Sequence, residues 1–349
     1  MPHAAAGRRT FATPRGRSLA FTMLGFGGAP LGNMHRILSD DEAIGTVTAA
    51  WDAGLRYFDT APLYGHGLSE QRIGRALAGR PRAEFLVSTK VGRLLEPCAP
   101  GDEAGGIYKG VPALKVVFDY TRDGVLRSFE ASLARLGLVR VDILYVHDLE
   151  QRTHGSEMAY EARWRELMDG GGWRALDELR SAGDVAALGL GVNETAACER
   201  LLGALDPDLF LLAGRYTLLE QAPLAGLMAA CVDRGVGVAI GGPFNSGVLA
   251  RQGGSYDYAA APAAVLSRVE RLAAVCARFD TPLAAAALQF AAAHPAVVSV
   301  IPGAQAASEV EANVGLMDVA IPPALWAALK DEGLVDPAAP TPVEVALPC

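Results

Sequence analysis

Short apolar runs alternate with longer amphipathic stretches along almost the whole chain. The runs lie near Met23–Phe26, Leu55–Phe58, Phe85–Thr89, Val141–Val146, Ala187–Val192, Leu209–Leu212, Gly237–Ile240 and Val298–Ile301. Most are apolar at consecutive positions rather than at every second one, the mark of a strand buried on both faces. Between them, apolar residues recur at helical spacing in Asp40–Ala53, Arg122–Leu136, Trp173–Ala182, Thr195–Leu205, Pro223–Arg234 and Ala263–Phe279. Ser39 before Asp40-Asp41-Glu42 is a good helix cap, with acids at the positive end of the helix dipole.

Strand–helix alternation predicts a parallel sheet wrapped by helices. Eight such units, with no Pro/Ser-rich linker between them, favour one closed (β/α)8 TIM barrel over residues 23–335 rather than a doubly wound open sheet. Residues 1–22 read as a tail and a β-hairpin turning at Pro14 to Gly16, and residues 336–349, with Pro337, Pro340, Pro342 and Pro348, as an irregular tail. Two stretches interrupt the alternation. Arg93–Asp119, rich in Gly and Pro, reads as a long loop over the mouth whose Ile107, Tyr108, Val111, Leu114 and Phe118 can pack, and Leu249–Pro262 as a second loop.

Composition narrows the functional classes. A hydrophobic content of 51 % in 349 residues and a mean hydropathy of +0.21 provide a large core, much of it Ala and Gly, without implying a membrane. The net charge of −8 argues against non-specific nucleic-acid binding. Cys98, Cys198, Cys231, Cys276 and Cys349 are widely spaced with no CxxC pair, which fits reduced thiols in a cytoplasm. His35, His66, His147, His154 and His294 lack ligand spacing, so no metal is expected. Arg8-Arg9-Thr10-Phe11 superficially resembles a twin-arginine signal, but Ala12 to Arg17 is charged and turn-forming where an apolar segment belongs.

Candidate chemistry stands at the carboxyl ends of three consecutive predicted strands: Asp59 and Tyr64 after Leu55–Phe58, Lys90 after Phe85–Thr89, and His147 after Val141–Val146. In a parallel barrel these ends converge on one mouth. A carboxylate, phenol, ammonium and imidazole together suit proton transfer at a substrate oxygen. Tyr64 would shuttle the proton, Lys90 would lower the phenol's pKa, Asp59 would hold Lys90, and His147 would orient the reacting oxygen. Singly, each has a blander explanation in packing, capping or a satisfied core histidine. No side chain supplies a hydride, so a redox reaction needs a cofactor.

The stretch Gly54–Gly65 with Ser69-Glu70, then Ser88-Thr89-Lys90-Val91-Gly92, then Val141 to Asp148, strongly resembles the aldo-keto reductase family in order and spacing, from about Met23 to about Gly315. The resemblance implies a (β/α)8 barrel whose amino-terminal hairpin closes the bottom, with a catalytic tetrad of Asp59, Tyr64, Lys90 and His147. Gly27–Gly32, the Arg93–Tyr120 insert and Arg215–Glu220 resemble the branch of aldose dehydrogenases (D-threo-aldose 1-dehydrogenase, L-fucose dehydrogenase) and pyridoxal 4-dehydrogenases. That implies NAD-dependent oxidation of the anomeric hydroxyl of a sugar such as L-fucose or D-arabinose. A pyridoxal dehydrogenase or a general carbonyl reductase is the alternative within the family. From other classes, a Schiff-base aldolase using Lys90 and a non-catalytic nicotinamide-binding sensor are the rivals.

Gly25-Phe26-Gly27-Gly28-Ala29-Pro30 fails as a dinucleotide fingerprint, since Pro30 replaces the third glycine and no helix opens there. The resemblance implies instead a nicotinamide cofactor across the mouth. Tyr216 would stack on the nicotinamide, with packing in the barrel wall as its equal alternative, Asn193 would hold the carboxamide, and Gly242, Pro243 and Ser246 would line the pyrophosphate. Gly303, Glu309 and Asn313 would meet the adenosine end. Members that use NADP are basic at the positions of Gly303 and Glu309, so NAD is expected here, with NADP the weaker ligand.

Overall fold

The computed structural model describes residues 3–251 and 254–342. Its strands are β1 (Arg8–Ala12), β2 (Ser18–Thr22), β3 (Phe26–Gly27), β4 (Tyr57–Asp59), β5 (Leu86–Val91), β6 (Arg93–Pro97), β7 (Leu114–Phe118), β8 (Ile143–His147), β9 (Ala187–Val192), β10 (Leu209–Ala213), β11 (Gly237–Gly241) and β12 (Val297–Ile301). Eight of them pair in the order β3-β4-β5-β8-β9-β10-β11-β12, every pairing parallel. The last returns to the first through Val300 N–H to Met23 O (2.9 Å), Gly25 N–H to Val300 O (2.9 Å) and Gly27 N–H to Pro302 O (3.0 Å). The eight predicted runs thus form one TIM barrel with helices between its strands.

Helix starts follow the chemistry at their ends. Asp40–Asp52 opens with a capping box, Glu42 N–H donating to Ser39 Oγ at 3.1 Å and Ser39 N–H to the Glu42 carboxylate at 2.8 Å. Losing such a cap costs about 1 kcal/mol.

The core has two parts. One lies between strands and helices, and the other fills the barrel, where Tyr57, Ile143, Tyr145, Leu209 and Leu211 are buried together with Leu19 and Phe21 of β2. β1 and β2 form an antiparallel hairpin with Thr13 N–H bonded to Arg17 O at 2.8 Å across the turn. Phe21 meets Tyr57 edge to face at 4.9 Å, so the hairpin plugs the lower end of the barrel. From there a polar chain climbs the interior. The Tyr145 and Tyr57 hydroxyls lie 3.3 Å apart, Tyr57 reaches Ser88 Oγ at 3.0 Å, and Ser88 Oγ donates to Asp59 at 2.7 Å.

One expectation is corrected. Arg93–Asp119 is not an irregular loop but an arm built on the antiparallel pair β6–β7, with Arg93 opposite Phe118 and Pro97 opposite Leu114. Its tip docks on the segment after β3, where His35 N–H donates to Ile107 O (2.8 Å) and Lys109 N–H to Asn33 O (3.0 Å). The Gly- and Pro-rich stretch between the strands hid the pairing, because register is a property of two strands and neither alternates clearly by itself. Of the carboxyl-terminal tail, residues 336–342 are irregular and packed, with Ala339 and Thr341 buried; residues 343–349 lie outside the described residues.

Candidate active site

Asp59 ends β4, Lys90 lies near the end of β5 and His147 ends β8, so three strand ends aim side chains at one mouth. Tyr64 arrives on the turn after β4, where Gly32 and Gly65 let two backbones touch. A Cβ on Gly32 would fall 2.4 Å from Gly65 N, so any side chain there would push the Tyr64 turn away. Lys90 runs its stem past Gly191 of β9, where an added Cβ would press on Lys90 Cε at 3.2 Å.

The four expected residues come together. Lys90 Nζ donates to both Asp59 oxygens (3.0 and 2.8 Å) and to Thr60 O (2.8 Å), with both partners buried. The same ammonium sits 4.7 Å from the centre of the Tyr64 ring. The Tyr64 and His147 rings meet edge to face at 5.8 Å.

Electrostatics correct one expected role. Burial first, and then the Asp59 charge, hold the Tyr64 phenol well above its ordinary value. The Lys90 ammonium, 4.7 Å from the ring centre, is matched by the Asp59 carboxylate, whose own charge acts on the phenol in the opposite sense. The phenol therefore stands protonated and ready to donate. Burial also raises the Asp59 carboxyl against the pull of Lys90 and Ser88. His147 is pushed down to about 3 by burial, so its imidazole is neutral, and its buried Nδ1 has no partner among the described residues. A neutral imidazole offers one N–H donor to a substrate oxygen.

Sequence reasoning missed several neighbours. Asp148 accepts from Arg93 Nη2 at 2.5 Å, and its Oδ2 lies 3.5 Å from His147 Nε2. Tyr108 of the arm lies against Tyr64 with ring centres 6.3 Å apart. Tyr258 arrives on the loop after β11, where the Asp148 charge acts on its phenol, and Asp257 beside it bridges Arg152 (2.5 Å) and Arg215 (3.2 Å). Buried Glu150 accepts from Asn193 N–H at 2.6 Å, and burial raises its carboxyl to about 7. Only Asp148, adjacent to His147 in sequence, carried a local signal; the others arrive through tertiary contacts.

The expected cofactor residues divide into three. Asn193, Gly242, Pro243 and Ser246 gather at the ends of β9 and β11, although Ser246 Oγ already accepts from Tyr258 N–H at 3.0 Å. Gly303, Glu309 and Asn313 lie across the mouth after β12. There Gly303 bridges Gly27, Asn313 lines a small cleft with Gly25 and Ala304, and Glu309 accepts from Gln305 N–H at 2.7 Å. Tyr216 is different: of its two readings the stacking one is corrected and the packing one holds. It has no solvent exposure, stacks on Phe290 at 5.4 Å and meets His294 edge-on, so no face of its ring is open to a nicotinamide. Arg36, which sequence reasoning did not single out, comes near Glu309 by donating to Gln305 Oε1 at 3.3 Å and to Glu42 at 3.3 Å.

Comparison with known proteins fits this constellation. The profile of the Aldo/keto reductase family matches residues 23–331, which include every member of the tetrad. The chain belongs to the aldo/keto reductase family. It is 41 % identical over 329 residues to a pyridoxal 4-dehydrogenase of Microbacterium luteolum, covering 91 % of this chain and 95 % of that one. It is 40 % identical over 333 residues to a D-threo-aldose 1-dehydrogenase of a Pseudomonas species, covering 93 % and 96 %. Among solved structures, an aldo-keto reductase of Bacillus halodurans in its holo form matches with a TM-score of 0.71 at 23 % identity, covering 97 % of this chain and 99 % of that one, which speaks for the fold.

As an aldo/keto reductase, this protein is an oxidoreductase acting on CH–OH groups, and its family uses nicotinamide cofactors. The mouth fits such a group. Gly242 is exposed, and a Cβ there would meet nothing closer than backbone at 3.6 Å, which leaves a shelf beside Asn193 and Ser246. His147 Nδ1 is a further polar atom without a partner among the described residues. No helix among the described residues is long and apolar enough to cross a membrane.

Proposed function

We propose that this protein oxidises the anomeric hydroxyl of an aldose, in its cyclic hemiacetal form, to the lactone with NAD. The observation that carries the reading is the Tyr64 phenol, set between His147 and a saturated Lys90–Asp59 pair in a mouth lined by Tyr108 and Tyr258. The 40 % identity to an aldose 1-dehydrogenase supports it. A bound nicotinamide would supply the hydride acceptor that no side chain can be.

His147 donates a hydrogen bond to the reacting oxygen and fixes its direction. Tyr64 Oη exchanges the hydroxyl proton, donating in reduction and accepting in oxidation. A phenol held protonated makes oxidation the direction that speeds up as pH rises. Lys90 keeps its ammonium against Asp59, which suits a positioning role and disfavours Schiff-base formation, since a charged amine is not a nucleophile. Four free thiols among the described cysteines suit a reducing cytoplasm.

For the cofactor, Glu309 presents an acid and Gly303 no charge where a 2′-phosphate would need a cation, while Arg36 is engaged by Glu42 and Gln305. NAD is the favoured partner on that ground. The test is NADH and NADPH formation with L-fucose, D-arabinose, L-galactose and pyridoxal. A higher kcat/KM for an aldose than for pyridoxal, and for NAD than for NADP, is expected. Faster turnover of pyridoxal would overturn the substrate, and equal kcat/KM for the two cofactors would overturn the NAD assignment.

A further inference from the structure

The tetrad accounts for proton transfer, yet a second ion pair stands at the same mouth without a part in it. Arg93 and Asp148 have side chains 11 % and 15 % exposed, against 1 % and 3 % for Lys90 and Asp59. The deep pair is saturated by Ser88 and Thr60 O. The rim pair is not, for Asp148 Oδ1 takes no hydrogen bond from a described residue.

Its placement is held from several sides. Arg93 lies 4.4 Å over the Phe118 ring at the base of the arm. Asp148 adopts a left-handed backbone, φ 49°, while its N–H still reaches Gly191 O at 2.9 Å. Just before it, Tyr120 Oη donates to the His147 carbonyl at 2.7 Å. An uncommon backbone state at such a position is retained where surrounding contacts fix it.

The surroundings describe a ligand. The Asp148 charge acts on the phenols of Tyr64, Tyr108 and Tyr258, which come from three separate segments. A carboxylate accepts hydrogen bonds and cannot donate them. His147 Nε2 lies 3.5 Å from Asp148 Oδ2, so a donor and an acceptor stand side by side, as do the oxygens of two neighbouring hydroxyls on a sugar ring. Aromatic rings beside them suit the apolar C–H face of that ring.

We propose that Asp148, clamped by Arg93, reads the hydroxyl on the carbon next to the reacting one, so that the site selects aldoses whose C2 hydroxyl is free and neutral. This rests on the aldose reading above and names the group that enforces it. One oxygen of the sugar, on C1, accepts from His147, and the next, on C2, donates to Asp148. A 2-deoxy sugar leaves the carboxylate facing a gap in a partly dry site. In pyridoxal the neighbouring ring oxygen is acidic and ionised near neutrality, and it would meet Asp148 as one anion meets another.

The experiment compares kcat/KM for L-fucose and 2-deoxy-L-fucose in the wild-type protein, Asp148→Ala and Asp148→Asn. A hydrogen bond to a charged group contributes about 1.5–3 kcal/mol, so the wild-type protein should prefer L-fucose by roughly 10- to 150-fold. Asp148→Ala should lower that ratio by about the same 10- to 150-fold factor, chiefly by losing activity on L-fucose. The intrinsic reactivity of each sugar cancels in the comparison. Asp148→Asn keeps the shape and stands in if the alanine variant fails to fold; its ratio should fall between the two. A variant ratio equal to wild type, with both sugars slowed alike, would reduce Asp148 to a structural role and overturn the proposal. A wild-type protein that oxidises pyridoxal but no aldose would overturn the aldose reading and this proposal together, an outcome distinct from the first.

Discussion

Near the lower end of the barrel the phenols of Tyr57 and Tyr145 lie above Phe21 and Leu19, whereas at the upper end the phenol of Tyr64 faces Tyr108 and His147. Tyr57, Tyr145 and Tyr64 are all held above the ordinary range of a phenol by burial. Below, the hydroxyls are bonded to each other and to Ser88. Above, the Tyr64 hydroxyl takes no bond from any described residue. Burial raises a phenol's pKa at both ends, but only an unsatisfied one can exchange a proton with a ligand. Availability, rather than pKa, separates a reactive tyrosine from a structural one.

The sharpest test makes the same deletion at both ends. Tyr64→Phe should lower kcat by about 10²–10⁴, the usual share of general acid–base catalysis, with an unchanged melting temperature. Tyr57→Phe should keep most of the turnover and lose about 1–3 kcal/mol of stability, because its hydroxyl bonds both Ser88 and Tyr145 and their buried oxygens would each lose a partner. Comparable loss of kcat in the two variants would erase the distinction and give the interior chain a part in the chemistry.

Next in size is the plug. Phe21→Ala should destabilise the fold by about 3–5 kcal/mol, as large-to-small core changes do, in urea or thermal unfolding. The kcat of the folded fraction should stay near wild type, because Phe21 is separated from the mouth by Tyr57 and Ser88. A Phe21→Ala protein as stable as its parent would remove the hairpin from the core.

The smallest effect is a pH dependence at the upper end. Burial, aided by the Asp148 charge, raises Glu150 from 4.5 to about 7, so the folded protein binds that proton more tightly than the unfolded chain does. The resulting stability is complete below the unfolded value and is lost as pH climbs through about 7. Unfolding between about pH 5 and pH 8 should show a loss of order 1–3 kcal/mol, since each tenfold gain in proton affinity on folding contributes about 1.4 kcal/mol. Glu150→Gln should flatten that slope, and an unaltered slope would assign it to other groups.

The barrel and the tetrad were legible in sequence for one physical reason. Strands buried on both faces read as largely apolar runs, and an ionisable residue ending such a run stands out. Asp59, Lys90 and His147 are of that kind, and Tyr64 follows on a short turn. The β6–β7 arm was not legible, because its strands are half-buried and their pairing depends on register. Tyr108, Tyr258 and Glu150 reach the mouth through loop placement, which no local pattern encodes. Tyr216 misled because an aromatic just past a strand end can face the mouth or the surrounding helices, and packing against Phe290 decided it. The tuning expected of Lys90 failed because proximity to Tyr64 was inferred without its competitor, Asp59, which takes both the charge and the hydrogen bonds.

The arm leaves and rejoins the barrel almost at one point, for Asp119 N–H donates to Gly92 O at 3.1 Å. Twenty-six residues separate those two anchors, yet the pairing of β5 with β8 uses none of them. The arm is therefore a module. Shortening it, lengthening it or exchanging it for another hairpin changes what stands over Tyr64 without asking the barrel to re-register. A lineage built on this scaffold can change its diet by editing one insertion, while the machinery that moves the proton is inherited intact.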